Sequence, residues 1–291
     1  MARRLRSKRM RPQTDEATWP IAVLTSAFCP EFDPQRLAMA MCVGYFNGRD
    51  SRDCAGLFTV SGFVSSKVRW REFETRWSRQ LRQEGLATFN ATEWINGTGE
   101  FASGWSDVPR RRGLMAALTR MTEQHVLHAF TQTISLSDYD AIDAEYAFGR
   151  AVGGPYNVCA ALLMTTVRGW MAAKHPDDLT LFIFEQGDID QQGLQRMLKG
   201  VRAETGEPAQ IWPRRWRDER GRRRHLRPLE ACQLFAADQD GSFQKRLTER
   251  SLLEAGIVDR EQLACVCRAL GIAQRSVRDA DEGRGVALGS L

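Results

Sequence analysis

Three stretches put polar side chains where a strand would end or a helix would face it. Tyr45-Phe46-Asn47-Gly48 closes one apolar run and Phe184-Glu185-Gln186-Gly187-Asp188 closes another, while Pro228 to Asp238 carries Glu230 and Gln233 on one helical face. In an open α/β sheet, ligands bind beyond the strand ends. Glu185 follows six residues that read as buried, so its carboxylate should emerge at such an edge; the competing reading is a strand-end carboxylate that caps the next turn. A fourth stretch, Phe89-Asn90-Ala91-Thr92-Glu93-Trp94 with Gly99-Glu100-Phe101 after it, reads by itself as an aromatic-anchored surface loop. A fifth is cationic: Arg214, Arg215, Arg217, Arg222, Arg223 and Arg224 interleave with Trp212 and Trp216. Arginine grips phosphate bidentately and tryptophan stacks on bases, which suits single-stranded nucleic acid. The alternative for that run is a loop of solvated charge.

The charge distribution points the same way. The chain of 291 residues has a formal net charge of +5. Residues 1–12 and 213–227 each carry +6, which leaves −7 on the remainder. Two basic segments on a mildly acidic body are the electrostatic footprint of a polyanion partner. With 43% hydrophobic and 26% charged residues the composition is that of a globular protein. No apolar run approaches the ~20 residues of a membrane span, and the N-terminal charges have no apolar stretch behind them, so a cytoplasmic protein with no membrane partner is expected. Seven widely spaced cysteines read as reduced thiols, and neither Cys265-x-Cys267 nor His125-x-x-His128 has a second pair at zinc spacing. Phosphate-loop, dinucleotide and nucleophile-elbow motifs are absent from the sequence.

The elements that must position these residues follow from periodicity. Leu37–Phe46 and Leu57–Val64 read as strands of a hairpin, with Asn47-Gly48 as a turn signal. Trp70, Phe73, Trp77 and Leu81 make an apolar stripe at spacings of three and four, capped by Ser65 or Ser66 and ended by Gly85. Leu86–Phe89 reads as a short strand, residues 93–105 as a glycine-rich loop, and Pro109 as the first turn of a helix to about His125. Val126–Leu136 and Leu179–Glu185 read as strands, with a short helix opened by Ser137-x-x-Asp140 and an apolar helix from Pro155 to Ala173 between them. A helix over 189–203, a short strand at Ile211-Trp212, one helix from Pro228 to Ala237 and two more between Ser242 and Leu270 complete the order. Strands lead and then alternate with helices, which predicts an α/β fold with a mixed sheet flanked by helices and extra C-terminal helices. Residues 1–20 are expected to be a basic disordered arm, 21–270 a single α/β domain and 271–291 a flexible tail.

Taken in order, the motifs from Leu37 to Ala237 resemble the domain-of-unknown-function 3800 family, prokaryotic and phage proteins with a ribonuclease H-like fold. Members open with a strand ending in Asp, continue with an aromatic strand-helix unit and a Phe-His motif with an acidic residue soon after, and have a later strand ending in Asp or Glu. They close with a helix bearing Gln-x-x-Asp. Here Asn47 stands at the first Asp, Asn90 at the His, and Glu230-x-x-Gln233 replaces Gln-x-x-Asp, while Glu93, Glu185 and Asp188 keep carboxylates. Ribonuclease H-like nucleases hold two Mg²⁺ ions ~3.5–4 Å apart between such carboxylates. The resemblance thus implies a nucleic-acid-binding protein whose metal-dependent nuclease site is weakened or lost. The alternative it leaves is an active Mg²⁺-dependent nuclease using Glu185, Glu93, Asp188 and Glu230, with Glu185 the candidate metal ligand. A non-catalytic protein-interaction module is a third reading.

Overall fold

A computed structural model describes residues 41–50, 56–186, 192–196, 198–199, 209–212, 215–217, 223–269, 271–272 and 274. The expected N-terminal arm, Asp188, Arg214 and Arg222 lie outside the described residues, as does nearly all of the expected tail.

The protein is a mixed α/β fold built on an open six-stranded sheet. Strands β1 (Met41–Asp50), β2 (Leu57–Ser66) and β3 (His128–Ser135) are consecutive antiparallel neighbours. Strand β4 (Leu179–Glu185) lies parallel to β1 on its other side, and β5 (Ala209–Trp212) lies parallel to β4. The last strand, β8 (Leu253–Val258), adds parallel to β3 at the far edge.

Strand alternation splits the core into two layers. Val43, Tyr45, Phe63, Ala129, Leu181 and Ile183 face one side, and Cys42, Phe46, Val60, Val64, Phe182 and Phe184 face the other. The first side is covered by α1 (Lys67–Gln83), the short α2 (Ala91–Asn96) and α3 (Val108–His125). The second is covered by α4 (Leu136–Tyr146), the short α5 (Phe148–Val152) and the apolar α6 (Pro155–Lys174). The apolar stripe of α1 is fully buried, and Ser66 caps the helix by accepting from the Arg69 N–H.

The first face also receives α7 (Arg227–Cys232), α8 (Leu234–Ala237) and α9 (Ser242–Glu249). Helix α10 (Arg260–Ala269) packs on the second. The chain reaches α7 through a two-stranded hairpin, β6 (Arg215–Arg217) with β7 (Arg223–His225).

Five local expectations are corrected. Asn47-Gly48 is no turn: β1 runs on through it, paired as far as Asp50 with Phe58, because ladder pairing outweighs the local turn preference. Leu86–Phe89 is no strand. Its N–H groups go to the Leu81 carbonyl and to the carboxylates of Glu100 and Glu230 rather than to a ladder. The supposed loop after Asn90 contains α2 and a 3₁₀ turn at Gly99–Phe101. Helix α4 begins two residues early, capped by Ser135 instead of Ser137. The helix from Pro228 breaks at Gln233, whose N–H bonds the Glu230 carbonyl three residues back. The two helices expected between Ser242 and Leu270 are present as α9 and α10, with β8 between them.

At Gly62 a Cβ would collide with the Tyr45 carbonyl oxygen across the β1–β2 ladder and with the Phe46 ring and Cα. Gly62→Ala is therefore expected to lower stability by about 1–3 kcal/mol, read as a lower urea midpoint with an unchanged slope. An unchanged midpoint would show that the ladder yields at no cost.

Candidate functional site

Strand β4 ends beside the middle of β1, with Phe46 opposite Phe184 as the last pair of the parallel register. One residue further on, both chains change from apolar to polar on the α1 face. There the Asn47 side-chain amide donates to Glu185 Oε2, joining residues 138 apart in sequence. Glu185 is buried to 7% exposure at the strand end. Cys232, from the end of α7, closes over this pair: its thiol donates to the Tyr45 carbonyl at 3.0 Å and the Pro228 carbonyl at 3.2 Å. Burial first, and then the nearby Glu185 charge, hold that thiol well above the usual cysteine range, so it is neutral and unreactive.

Next to the pair a cleft of about 160 Å³ opens over β1, β2 and β3. Asn47, Arg49, Thr59, Ser61, Thr131 and Thr133 form its floor, and Cys232, Phe235, Ala236 and Gln244 form its walls. None of the described residues that line it is a carboxylate.

The other candidate positions have different tasks. Gln233 Oε1 accepts from the Ala91 N–H at 2.9 Å, and so ties α7 to the start of α2. Asn90 is the N-cap of α2, accepting from the N–H groups of Thr92 and Glu93. Glu93 bends over Gly99 and accepts from the Glu100 N–H at 3.3 Å. Glu230 is fully buried and engaged on every side. Trp77 Nε1 donates to it at 2.9 Å, the Phe89 N–H at 3.2 Å and Arg227 Nη1 at 2.7 Å. Hence the structure joins Asn47 and Glu185, but it turns Gln233, Asn90, Glu93 and Glu230 to local structural bonds.

This donor set does not fit a pair of Mg²⁺ ions. Mg²⁺ takes anionic or carbonyl oxygen. Here Asn47 presents an N–H to Glu185, and the Gln233 oxygen is already occupied. Among the described residues no group of three or more His, Cys, Asp or Glu side chains is arranged to hold a metal ion. His125 and His128 are structural: His125 Nδ1 lies 2.7 Å from the Met121 carbonyl, and the His128 ring stacks on Trp170.

The cationic segment enters α7 directly. Its hairpin register sets Arg215 opposite His225, Trp216 opposite Arg224 and Arg217 opposite Arg223. Leu226 then leads into the helix that supplies Cys232 to the cleft.

No protein-family model matches this chain, and no curated protein does so either.

Sequence reasoning missed most of the cleft. Arg49, Thr59, Ser61, Thr131 and Thr133 sit at alternate positions on three strands, and that alternation was the available signal. Each strand changes from apolar to amide, hydroxyl or cationic residues at the same height of the sheet.

Proposed function

We propose that this protein binds nucleic acid on a ribonuclease H-like scaffold whose metal-dependent nuclease site has been weakened or lost. The observation that carries the reading is the Asn47–Glu185 contact at the β1–β4 edge. In the family resembled, an Asp stands at the first of these positions and an acidic residue at the second. An amide there satisfies the carboxylate internally, where a metal would otherwise be required. Two features add support. A hairpin that runs on into parallel βα units is the layout of ribonuclease H-like folds, and the described strands follow it. The arginine- and tryptophan-bearing hairpin leads straight into the helix that lines the cleft. A cytoplasmic protein is the setting this reading implies; among the described residues no helix is long and apolar enough to cross a membrane.

The test is binding of labelled single-stranded DNA and RNA across a salt series, with cleavage followed in Mg²⁺. Affinity is expected to fall steeply with salt, because each arginine–phosphate contact releases a counterion. Changing Arg222, Arg223 and Arg224 to Ala should flatten the slope of log affinity on log salt by up to about 3 if all three touch phosphate. Cleavage should be slow or absent, and Asn47→Asp should introduce Mg²⁺ affinity at the edge by supplying a second carboxylate. Robust cleavage that Glu185→Ala abolishes would establish an active nuclease instead. Absence of binding at low salt would favour a protein-interaction module.

A further inference from the structure

We propose that the cleft over β1, β2 and β3 is a phosphate-binding site that works without a metal ion. The inference deepens the nucleic-acid reading and rests on it only for the source of the phosphate.

The floor consists of two rows set by the ladder register. Asn47, Ser61 and Thr131 lie side by side, and Arg49, Thr59 and Thr133 form the next row outward. Both continue the face on which Tyr45, Phe63 and Ala129 are buried, so the rows begin where the apolar core stops. Among the described residues that line the cleft Arg49 is the one charged residue, and its Nη1 donates to the Ala236 carbonyl at 3.0 Å. That bond holds the guanidinium at the mouth and leaves its other N–H groups for a ligand. Thr59 and Thr133 share a hydrogen bond of 3.0 Å, so one of the two hydroxyls keeps a proton to offer. The Ser61 and Thr131 hydroxyls take no hydrogen bond from any described residue.

A pinned guanidinium above a bed of hydroxyl donors, with no carboxylate among the described lining residues, repels cations and suits a tetrahedral oxyanion. Glu185 is not among the lining residues and is held by the Asn47 amide. The volume of about 160 Å³ is close to that of an engineered cavity that takes one benzene ring, enough for a phosphate group but too small for a whole nucleotide. The rest of any larger ligand must therefore leave through the mouth, past Arg49. The same chemistry serves a phosphodiester of a strand or a free phosphate.

The full chain is to be tested in EDTA. In the first arm, inorganic phosphate is titrated against chloride of equal ionic strength while thermal unfolding is followed. Phosphate should raise the midpoint of the unmodified protein. Arg49→Ala, an exposed change expected to leave basal stability within about 0.5 kcal/mol, should abolish that rise. Thr59→Val should reduce it. In the second arm, a labelled single-stranded oligonucleotide should bind Arg49→Ala about tenfold more weakly, with the salt slope lowered by about 1. Loss of the phosphate effect alone, with strand binding unchanged, identifies free phosphate as the ligand and upholds the site. An Arg49-dependent phosphate effect in a protein that binds no strand upholds the site and overturns the nucleic-acid reading. Equal phosphate effects in the two proteins, or none in either, overturn the site whatever the strand does.

Discussion

Glu230→Ala is expected to destabilise the protein by about 3–5 kcal/mol, the range found when one partner of a buried ion pair is removed. The carboxylate is the common acceptor for α1, the segment before α2 and α7. Trp77, the Phe89 N–H and Arg227 all donate to it. Its removal leaves a buried indole N–H and a backbone N–H unpaired and an arginine, 14% exposed, without its counter-charge. Burial alone would raise the Glu230 pKa. His225, the Arg227 charge, and the Trp77 and Phe89 N–H groups together bring it below the ordinary value of 4.5. His225 Nδ1 stands 3.6 Å from Oε1, too far for a good hydrogen bond, so its part is charge attraction when protonated. Because the folded pKa is depressed, this stabilisation is complete above the ordinary carboxylate range and is lost as pH falls through the folded value. Urea unfolding from pH 7 down to about pH 3.5 should therefore show an acid loss in the unmodified protein that is much reduced in Glu230→Ala. A variant as stable as the parent at pH 7 would contradict this role.

Glu74 works in the opposite direction. It lies buried on α1, and one carboxyl oxygen has no hydrogen-bond partner among the described residues. Burial pushes its pKa from 4.5 up to about 8; Arg227 opposes the shift and the Glu230 charge adds to it. The buried Tyr45 hydroxyl nearby is held neutral by burial and then by the Glu74 charge. With the folded pKa raised, the folded state holds a proton that the unfolded chain has released. Stability should then fall as pH rises from the ordinary glutamate range through about 8. The loss should be roughly 3–4 kcal/mol between about pH 5 and pH 8.5. Glu74→Gln keeps the shape and removes the ionisation. It should match the unmodified protein near pH 5 and exceed it by that amount at pH 8.5. Parallel pH profiles for the two proteins would show that Glu74 is ionised in the fold.

The two glutamates show how far local sequence reaches. On α1, Glu74 lies four residues after Trp70 and three before Trp77, so helical spacing puts it on the buried stripe and leaves Glu72 in solvent, but nothing along the chain supplies the partners that decide its ionisation. Glu230 in α7 read as a candidate catalytic carboxylate; the α1 tryptophan and the Phe89 backbone, brought from more than 140 positions away, make it a core acceptor. The α1 stripe, the buried β4 and the emergence of Glu185 at a strand end were legible, since each depends on residues two to four positions apart. Edge strand β8 was not: Leu253 to Val258 carries Glu254, Ala255 and Gly256, weak strand formers that are held by the open side of β3.

Periodicity thus determined by itself most of the strands and helices and their alternation into an α/β fold, and the charge pattern located two basic segments. The tertiary structure alone decided that Asn47 meets Glu185, that Gln233 and Glu230 turn inward, and that three strands bring hydroxyls and Arg49 to one cleft. The reason is physical: a strand or helix is specified by neighbours along the chain, whereas a side chain's partner is set by register and packing between segments that sequence distance does not encode.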